Sequence, residues 1–309
     1  MRTRVIALGD ANVDLIASAE FLPARGEEIL IRNLEMHAGG SAANLAVALS
    51  RLGVKSGFIG KVGEDLFGRF LVKHFRREGV DISQLRISSE ASTGLVFCII
   101  TNDGERTMFT SRGVNVNLSL DEINVEYIKG ADVLHLSGYA LLRDPQRSAA
   151  LKALEAAKEG KLFISLDVGV LTPMKVGNLV RSILGSVNLL FLNELEAKWL
   201  TGAGPRSAAE KLLKLGLDMV ALKLGPKGCL ILTKEGRVSL PAFAVRAVDS
   251  TGAGDAFNAG FLTGLMEGWG LEEIARFANA AGALKVTKLG ATSALPTRRE
   301  IEDFMKRSG

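Results

Sequence analysis

The sequence Asp249-Ser250-Thr251-Gly252-Ala253-Gly254-Asp255 connects an apolar, extended run at residues 242–248 to a helical pattern at residues 256–267. Glycine lets a backbone approach a ligand closely because it has no Cβ atom. The first amides of the following helix have no intrahelical partner, and with the helix dipole they attract anions. An acid in a first helical turn often serves only as a cap. Here Asp255 follows two glycines, which favours a phosphate-binding loop with a carboxylate beside it.

The composition is typical of a soluble globular protein, with 47% hydrophobic and 23% charged residues in a chain of 309. Lysine and arginine total 38 against 34 acids, and the two signs are interleaved, so we expect no nucleic-acid partner. Neither the two cysteines nor the three histidines have metal-binding spacing. The N-terminal apolar core is too short for a signal peptide, and no apolar run is long enough to span a membrane. These features predict a cytoplasmic protein without membrane contact.

Strand-like apolar runs alternate with amphipathic helical patterns over most of the chain. The strands predicted in this alternation are residues 4–9, 55–62, 133–136, 162–167, 188–192 and 219–224. Repeated β-α-β units build a mostly parallel sheet with helices on both faces, which is a three-layer α/β/α fold. We interpret residues 1–309 as a single domain of this kind.

Two segments, at about residues 11–38 and 91–113, do not fit the alternation. In the second segment, Asn102-Asp103-Gly104 separates two β-type runs and predicts a hairpin turn. Both segments are predicted to form a small β-sheet that projects from the domain as a lid.

The glycine motif differs from two other common nucleotide-binding loops. A dinucleotide-binding motif would need a third glycine or alanine where the chain has Phe257. The P-loop pattern G-x-x-x-x-G-K-[ST] does not occur in the sequence. Hydrolysis by paired carboxylates stays open, although no motif indicates it. Phosphoryl transfer is therefore the preferred interpretation.

A second glycine motif, Gly39-Gly40-Ser41-Ala42-Ala43-Asn44-Leu45-Ala46, opens a helical pattern near the N-terminus, where Ser41 is a predicted cap. Together the two motifs resemble the signatures of the ribokinase-like, or PfkB, family of carbohydrate kinases. Matching pieces between them include Asn193-Glu194-Leu195-Glu196 and Leu224-Gly225-x-x-Gly228. The resemblance covers almost the whole chain, and it implies the three-layer fold and kinase activity of that family.

The resemblance also implies a role for each motif. Asp255 matches the general base that takes the proton from the acceptor hydroxyl. The anion hole around the transferred γ-phosphate matches the amides of Gly252, Ala253 and Gly254. This agrees with the dependence of phosphoryl transfer on positioning and charge stabilisation. The acceptor site matches Asp14, Gly39, Gly40 and Asn44. Arg112 is a further candidate, either for an acidic sugar or for closing the lid.

ATP as phosphate donor and Mg²⁺ are the partners that the resemblance implies. Asn193 and Glu196 match a motif that organises Mg²⁺ through water. The nucleotide-binding segment matches Lys223, Gly225 and Gly228. Two residues of a later helix border the adenine in relatives, and they match Asn279 and Gly282. Relatives that use ADP exist, so the donor is open at this point.

Many relatives also bind a monovalent cation beside the anion hole, and K⁺ is the candidate. Asp249 and Thr251 match its ligands, with backbone carbonyls near Lys285, Lys288 and Gly290. Relatives of the ribokinase type add a serine at the position of Ala294, with Ser293 one step away. This departure leaves K⁺ activation open.

The acceptor is less determined. Ribokinases carry a lysine after the double glycine, where this chain has Ser41. Fructokinases and ketodeoxygluconate kinases usually show Asp-x-Asn-x-Arg, which here becomes Asp167-Val168-Gly169-Val170-Leu171. Nucleoside kinases share Gly-Gly-Ser-x-x-Asn, so nucleosides stay open. The aromatic residues that could stack on a base are Phe21, Phe97, Phe109 and Tyr139.

We therefore predict an ATP- and Mg²⁺-dependent kinase that phosphorylates a hydroxymethyl group of a small sugar. A nucleoside kinase, a 2-keto-3-deoxygluconate kinase and a non-catalytic sugar sensor are the alternatives. Because a lid sheet has open edges that relatives often pair, we also expect a homodimer through the lid.

Overall fold

The computed structural model describes residues 3–102 and 105–308, which form two β-sheets and ten α-helices. The strands of the central sheet are β1 Val5–Leu8, β4 Ser56–Gly63, β5 Leu85–Ser88, β8 Val133–Ser137, β9 Phe163–Asp167, β10 Leu189–Asn193, β11 Met219–Lys223, β12 Cys229–Thr233 and β13 Arg237–Leu240. The strands of the small sheet are β2 Asn12–Ser18, β3 Arg32–Gly39, β6 Gly94–Ile100 and β7 Arg106–Ser111. The helices are α1 Ser41–Arg51, α2 Leu66–Arg77, α3 Val125–Lys129, α4 Gln146–Glu159, α5 Leu171–Ile183, α6 Glu194–Thr201, α7 Pro205–Leu213, α8 Ala253–Glu267, α9 Leu271–Val286 and α10 Arg298–Arg307.

The central sheet has nine strands in the order β13-β12-β11-β10-β9-β8-β1-β4-β5. All neighbours are parallel except β11 with β12 and β12 with β13. Strands such as Val5–Leu8 are buried at every position, as expected for a sheet covered on both faces. One apolar core packs α1, α2, α8, α9 and α10 against one face, and a second packs α3 to α7 against the other. The predicted three-layer fold is confirmed.

The small sheet has the order β3-β2-β6-β7 and comes from the two segments that break the α/β alternation. Strand β2 pairs with β3 in antiparallel and with β6 in parallel orientation, and β6 pairs antiparallel with β7. The predicted pairing across the hairpin is therefore present. Two residues of its predicted turn, Asp103 and Gly104, lie outside the described residues.

The extended run before the C-terminal motif is not a strand. Residues 242–248 have no regular structure, and the preceding strand ends at Leu240. The amides of Val248 and Asp249 donate to the carbonyl oxygen of Val286 at the end of α9, at 2.7 and 3.1 Å. The backbone thus pairs with a helix terminus, and this contact places the start of α8 beside the end of α9. None of the helices in the described ranges is both long and apolar enough to cross a bilayer.

Candidate active site

Asp255 lies in the first turn of α8, directly against the first turn of α1. Its Oδ1 atom accepts a hydrogen bond from the Ser41 hydroxyl at 2.7 Å, and its Oδ2 atom accepts one from Asn44 Nδ2 at 2.7 Å. The prediction that Ser41 caps α1 is wrong, because Gly40 is the N-cap and Ser41 is the first helical residue. The two predicted motifs therefore meet at one buried carboxylate.

Two consecutive glycines allow this meeting. Gly40 has a φ of 97°, a conformation that L-residues rarely adopt, and a Cβ there would clash with the backbone oxygen of Asp10. A Cβ on Gly39 would clash with the carboxylate of Asp14. Any side chain at either position would push the start of α1 away from β1 and β2. The glycines thus bring Asp14 and the helix that carries Asn44 close together.

Two buried oxygen atoms at this place have no hydrogen-bond partner within the described part of the chain, and they are Asp14 Oδ1 and Asn44 Oδ1. Burial, together with the charges of Asp249 and Asp255, raises the pKa of Asp14 to about 7. Unpaired buried polar atoms are rare because each costs about 1–3 kcal/mol. Hydroxyl groups of a bound ligand would satisfy both oxygens. The predicted acceptor residues therefore lie together, and two of their oxygens can accept hydrogen bonds from the hydroxyl groups of a polyol.

Arg112 lies at the same end of the molecule, but its charge is already paired. The guanidinium donates to both carboxylate oxygens of Asp10 at 2.7 and 2.8 Å, and to Gln146 Oε1 at 2.6 Å. Gln146 in turn donates to Asp10 at 2.8 Å. Asp10 and Gln146 were not singled out in the sequence, although the position of Asp10 after β1 was a usable signal.

Lys223, at the end of β11, reaches the first turn of α8. Its Nζ atom donates to Asp167 Oδ2 at 2.8 Å and lies 3.2 Å from the position that a Cβ on Gly254 would take. Asn258 of α8 also donates to Asp167. The ammonium therefore lies beside the glycine loop that the sequence assigns to the γ-phosphate. Asp167 and Asn258 were missed as site residues.

Asp255 has the electrostatics of a base that works near neutral pH. Burial, followed by repulsion from Asp167, raises the pKa of Asp255 to about 6. The hydrogen bonds from Asn44 and Ser41 and the charge of Lys223 act in the opposite direction. A general base is most effective when its pKa lies near the operating pH.

Asn193 and Glu196 form a reciprocal cap at the start of α6. Glu196 Oε2 accepts from the Asn193 amide and Glu196 Oε1 accepts from Asn193 Nδ2, both at 2.8 Å. Burial and the charge of Asp167 raise the pKa of Glu196 to about 7. Oxygen ligands in an anionic setting suit Mg²⁺, which usually keeps several waters. These residues thus fit a magnesium ion that is held through water.

The other predicted nucleotide-binding residues lie in the turn after β11 and on α9. Gly225 and Gly228 have φ values of 57° and 95° in the turn between β11 and β12. Asn279 Nδ2 donates to the carbonyl oxygen of Pro241 at 3.1 Å, so this amide holds the chain that leaves β13. A Cβ on Gly282 would lie 3.4 Å from the Ala253 carbonyl oxygen, which shows how closely α9 approaches the start of α8.

Asp249 is surrounded by hydrogen-bond donors. Its Oδ1 atom accepts from the amide and the hydroxyl of Thr251 at 2.9 and 2.7 Å, and from Arg106 Nη1 at 3.0 Å. Its Oδ2 atom accepts from the Gly290 amide at 3.0 Å and lies 3.6 Å from Lys285 Nζ. Arg106 and the side chain of Lys285 were not predicted here, and neither has a sequence signal that points to Asp249.

Comparison with known proteins agrees with this geometry. The model of the pfkB family carbohydrate kinases matches residues 2–298. Fructokinase-1 of Oryza sativa subsp. japonica is 36% identical over an alignment of 284 residues, with coverage of 87% of this chain and 88% of that protein. The Arabidopsis thaliana ribokinase solved with ribose and ATP is 29% identical, with a TM-score of 0.87 and coverage of 99% of both chains. An E. coli protein provisionally described as ribokinase II, solved with ATP and Mg²⁺, is 25% identical, with a TM-score of 0.90 and coverage of 99% of both chains.

Proposed function

The chain belongs to the pfkB family of carbohydrate kinases and is an ATP-dependent sugar kinase, and we propose that it phosphorylates a hydroxymethyl group of fructose. The observation that carries the proposal is the buried Asp255 carboxylate between Ser41 and Asn44, with the unpaired oxygens of Asp14 and Asn44 beside it. The fructokinases among its relatives supply the choice of sugar.

Asp255 acts as the general base in the proposed reaction. The acceptor hydroxyl gives its proton to the carboxylate while its oxygen forms a bond to the γ-phosphorus of ATP. The bond between that phosphorus and the bridging oxygen breaks, and ADP leaves. Ser41 and Asn44 orient the carboxylate by their two hydrogen bonds. With a pKa of about 6, Asp255 is mostly ionised at neutral pH and able to accept the proton.

The start of α8 and Lys223 stabilise the transferred group in this proposal. The amides of Gly252 and Gly254 would bind the developing charge, whereas the predicted third amide, that of Ala253, already donates to the Ser250 carbonyl oxygen at 3.2 Å. The Lys223 ammonium lies beside Gly254. Asn193 and Glu196 are the residues that would hold Mg²⁺ through water. When bound, Mg²⁺ neutralises negative charge on the phosphate oxygens. Gly225, Gly228, Asn279 and Gly282 are proposed to border the nucleotide.

The charge of the acceptor site favours a neutral sugar over a sugar acid. Arg112 would be the natural partner of a substrate carboxylate, but Asp10 and Gln146 already occupy its guanidinium. Asp14 adds a buried carboxyl group beside Gly39. A sugar acid such as 2-keto-3-deoxygluconate would meet this carboxyl group without a free cation from Arg112.

The placement of Phe97 and Phe109, two of the four candidate aromatic residues, favours a sugar over a nucleoside. Residues directly opposite each other in a sheet share one face. Phe97 pairs with Leu15 and with Phe109, so both rings lie on the face away from Asp14. The residue that pairs with Asp14 on β6 is Val96, which offers no ring for stacking.

Rates with a panel of acceptors test the proposal. With ATP and Mg²⁺, fructose is expected to exceed ribose, 2-keto-3-deoxygluconate and nucleosides by about tenfold or more in kcat/KM. The same panel with ADP instead of ATP serves as the donor control. A nucleoside as the best acceptor would contradict the argument from the aromatic side chains.

We further propose that the small sheet is a lid that closes over the acceptor and excludes water. Arg106 of β7 already reaches the glycine loop, where its Nη2 atom donates to the Ser250 hydroxyl at 2.8 Å. The face of this sheet away from Asp14 carries an apolar row of Met36, Leu15, Phe97 and Phe109 across its four strands, and Leu15 in this row packs against the main core. Met36 and Phe109 are 44% and 60% exposed. A homodimer that pairs two such faces would bury this row.

Sedimentation velocity tests the proposed dimer. The wild-type protein is expected to sediment as a dimer and Phe109→Glu as a monomer, because the charge would be buried unpaired in the interface. Leu215→Glu, at another exposed apolar residue (43% exposed), is the matched control and should leave the dimer intact. A monomeric wild-type protein would refute the proposal.

A further inference from the structure

Lys285 lies in the last turn of α9 and points to the base of the loop that precedes α8. Its side chain is fully buried, at 0% exposure. The Nζ atom donates to the carbonyl oxygen of Asp249 at 2.8 Å and to that of Lys288 at 3.3 Å. The same atom lies 3.6 Å from Asp249 Oδ2. An ammonium group has three donor hydrogens and one positive charge. The two carbonyl oxygens accept two of these hydrogens, and the Asp249 carboxylate balances the charge.

These oxygens belong to Asp249 and Lys288, which are part of the place that the family resemblance assigns to a monovalent cation. The resemblance places the cation at Asp249 and at backbone carbonyls near Lys288, where the structure has the Lys285 ammonium instead. The Asp249 carboxylate also accepts from Thr251, Gly290 and Arg106. A K⁺ ion here would compete for oxygens that already accept hydrogen bonds, and two neighbouring cations would repel it. The candidate K⁺ does not fit with Lys285 in this position.

The serine ligand of ribokinase-type relatives is also not reproduced. Its position is occupied by Ala294, which is buried. The neighbouring Ser293 places its hydroxyl 3.2 Å from His37 Nδ1, on β3 of the small sheet. This hydroxyl is therefore engaged with the small sheet.

We propose that the Lys285 ammonium takes the place of the monovalent cation, so that this kinase transfers phosphate without K⁺. Lys285 is a positioning residue, because it ties the Asp249 carbonyl to the end of α9 and thereby fixes the loop that continues into Gly252–Gly254. The inference rests on the proposed anion hole. Melting temperatures report cation binding even when the protein transfers no phosphate. Failure of the proposed function and failure of this inference are therefore distinguishable.

Initial rates in KCl, NaCl and choline chloride at equal ionic strength test the inference. The wild-type rate is expected to be the same in all three salts. Lys285→Ala vacates the position of the ammonium, so in choline chloride it should lose about tenfold, below the roughly 10²-fold that a 1 Å misplacement can cost. K⁺ or NH₄⁺ should restore most of this loss, because either ion can enter the vacated position.

Melting temperatures provide the second readout. K⁺ should raise the melting temperature of Lys285→Ala by a few degrees, because a ligand that binds only the folded state stabilises it. The wild-type value should not respond to K⁺. Arg276→Met is the control, because it removes an exposed cation from the same helix and should create no K⁺ response.

Two results would overturn the inference. One is K⁺ activation of the wild-type enzyme by about fivefold or more, which is the range of a real coupling between sites. The other is a Lys285→Ala variant that keeps its rate and melting temperature in choline chloride. If this variant fails to fold, the response of the wild-type rate and melting temperature to K⁺ still tests the inference.

Discussion

Replacing Asp255 with asparagine is expected to lower kcat by roughly 10²–10⁴-fold, the usual contribution of a positioned general base. The variant keeps the size of the side chain but cannot accept the proton of the sugar hydroxyl. ATP affinity should change little, because the amides at the start of α8 and Lys223 stay in place. Single-turnover rates and ATP titration by calorimetry separate the two effects.

The pH dependence of kcat/KM gives this prediction a second measurement. In the wild-type enzyme kcat/KM should fall as the pH drops from about 7 to below about 6, because Asp14 must be ionised to act as a charged acceptor for the sugar and Asp255 must be ionised to act as a base. Ser41→Ala removes a hydrogen bond that lowers the pKa of Asp255, so the acidic limb should move to higher pH. Ser182→Ala, on the surface helix α5, is the matched control and should leave the limb in place. An Asp255→Asn rate within tenfold of the wild-type rate would refute the assigned role.

The sequence predicted those elements whose pattern lies within a few neighbouring residues. Strands such as Val5–Leu8 are continuous apolar runs, and the start of α8 carries glycines followed by an acid. Both patterns depend on neighbouring residues, so they are readable without the fold. The apolar run at 242–248 has the same pattern, yet it is not a strand. The amides of Val248 and Asp249 at its end donate to the Val286 carbonyl oxygen and not to a neighbouring strand.

The parts of the site that the sequence did not reveal depend on long-range contacts. Ser41 is a residue type that favours helix caps, yet its hydroxyl donates a hydrogen bond to Asp255, which lies 214 positions later in the chain. Lys285 obeys the rule for a cation at a helix C-terminus, yet its side chain is buried against Asp249. Arg106 and Asp249 are 143 positions apart. No local pattern encodes such pairs, and only the packing of α9 and the small sheet around the loop brings them together.

Asp14→Asn is expected to raise the KM for the sugar by roughly tenfold, because it replaces a charged acceptor, worth about 1.5–3 kcal/mol, with a neutral amide oxygen, worth about 0.5–1.5 kcal/mol. The free Oδ1 atom of Asp14 is the proposed acceptor for a sugar hydroxyl. The KM for ATP should stay the same, since Asp14 lies on β2 and the nucleotide residues lie at β11 and α9. Steady-state kinetics with each substrate varied in turn checks this separation.

The same variant should not lose stability, which distinguishes a binding residue from a structural one. Burial and the charges of Asp249 and Asp255 raise the pKa of Asp14 from 3.8 to about 7, so the folded state disfavours its ionised form. This cost is absent below the unfolded pKa of 3.8, grows as the pH rises, and is complete above about 7. At pH 8, Asp14→Asn should therefore unfold at the same or a higher temperature than the wild-type protein, whereas near pH 4 the difference should vanish. Asp303→Asn, at a half-buried acid of α10 that forms ion pairs with Arg299 and Lys306, should change neither KM nor melting temperature. A lower melting temperature for Asp14→Asn at pH 8, with an unchanged KM for the sugar, would show that Asp14 supports the fold and not the substrate.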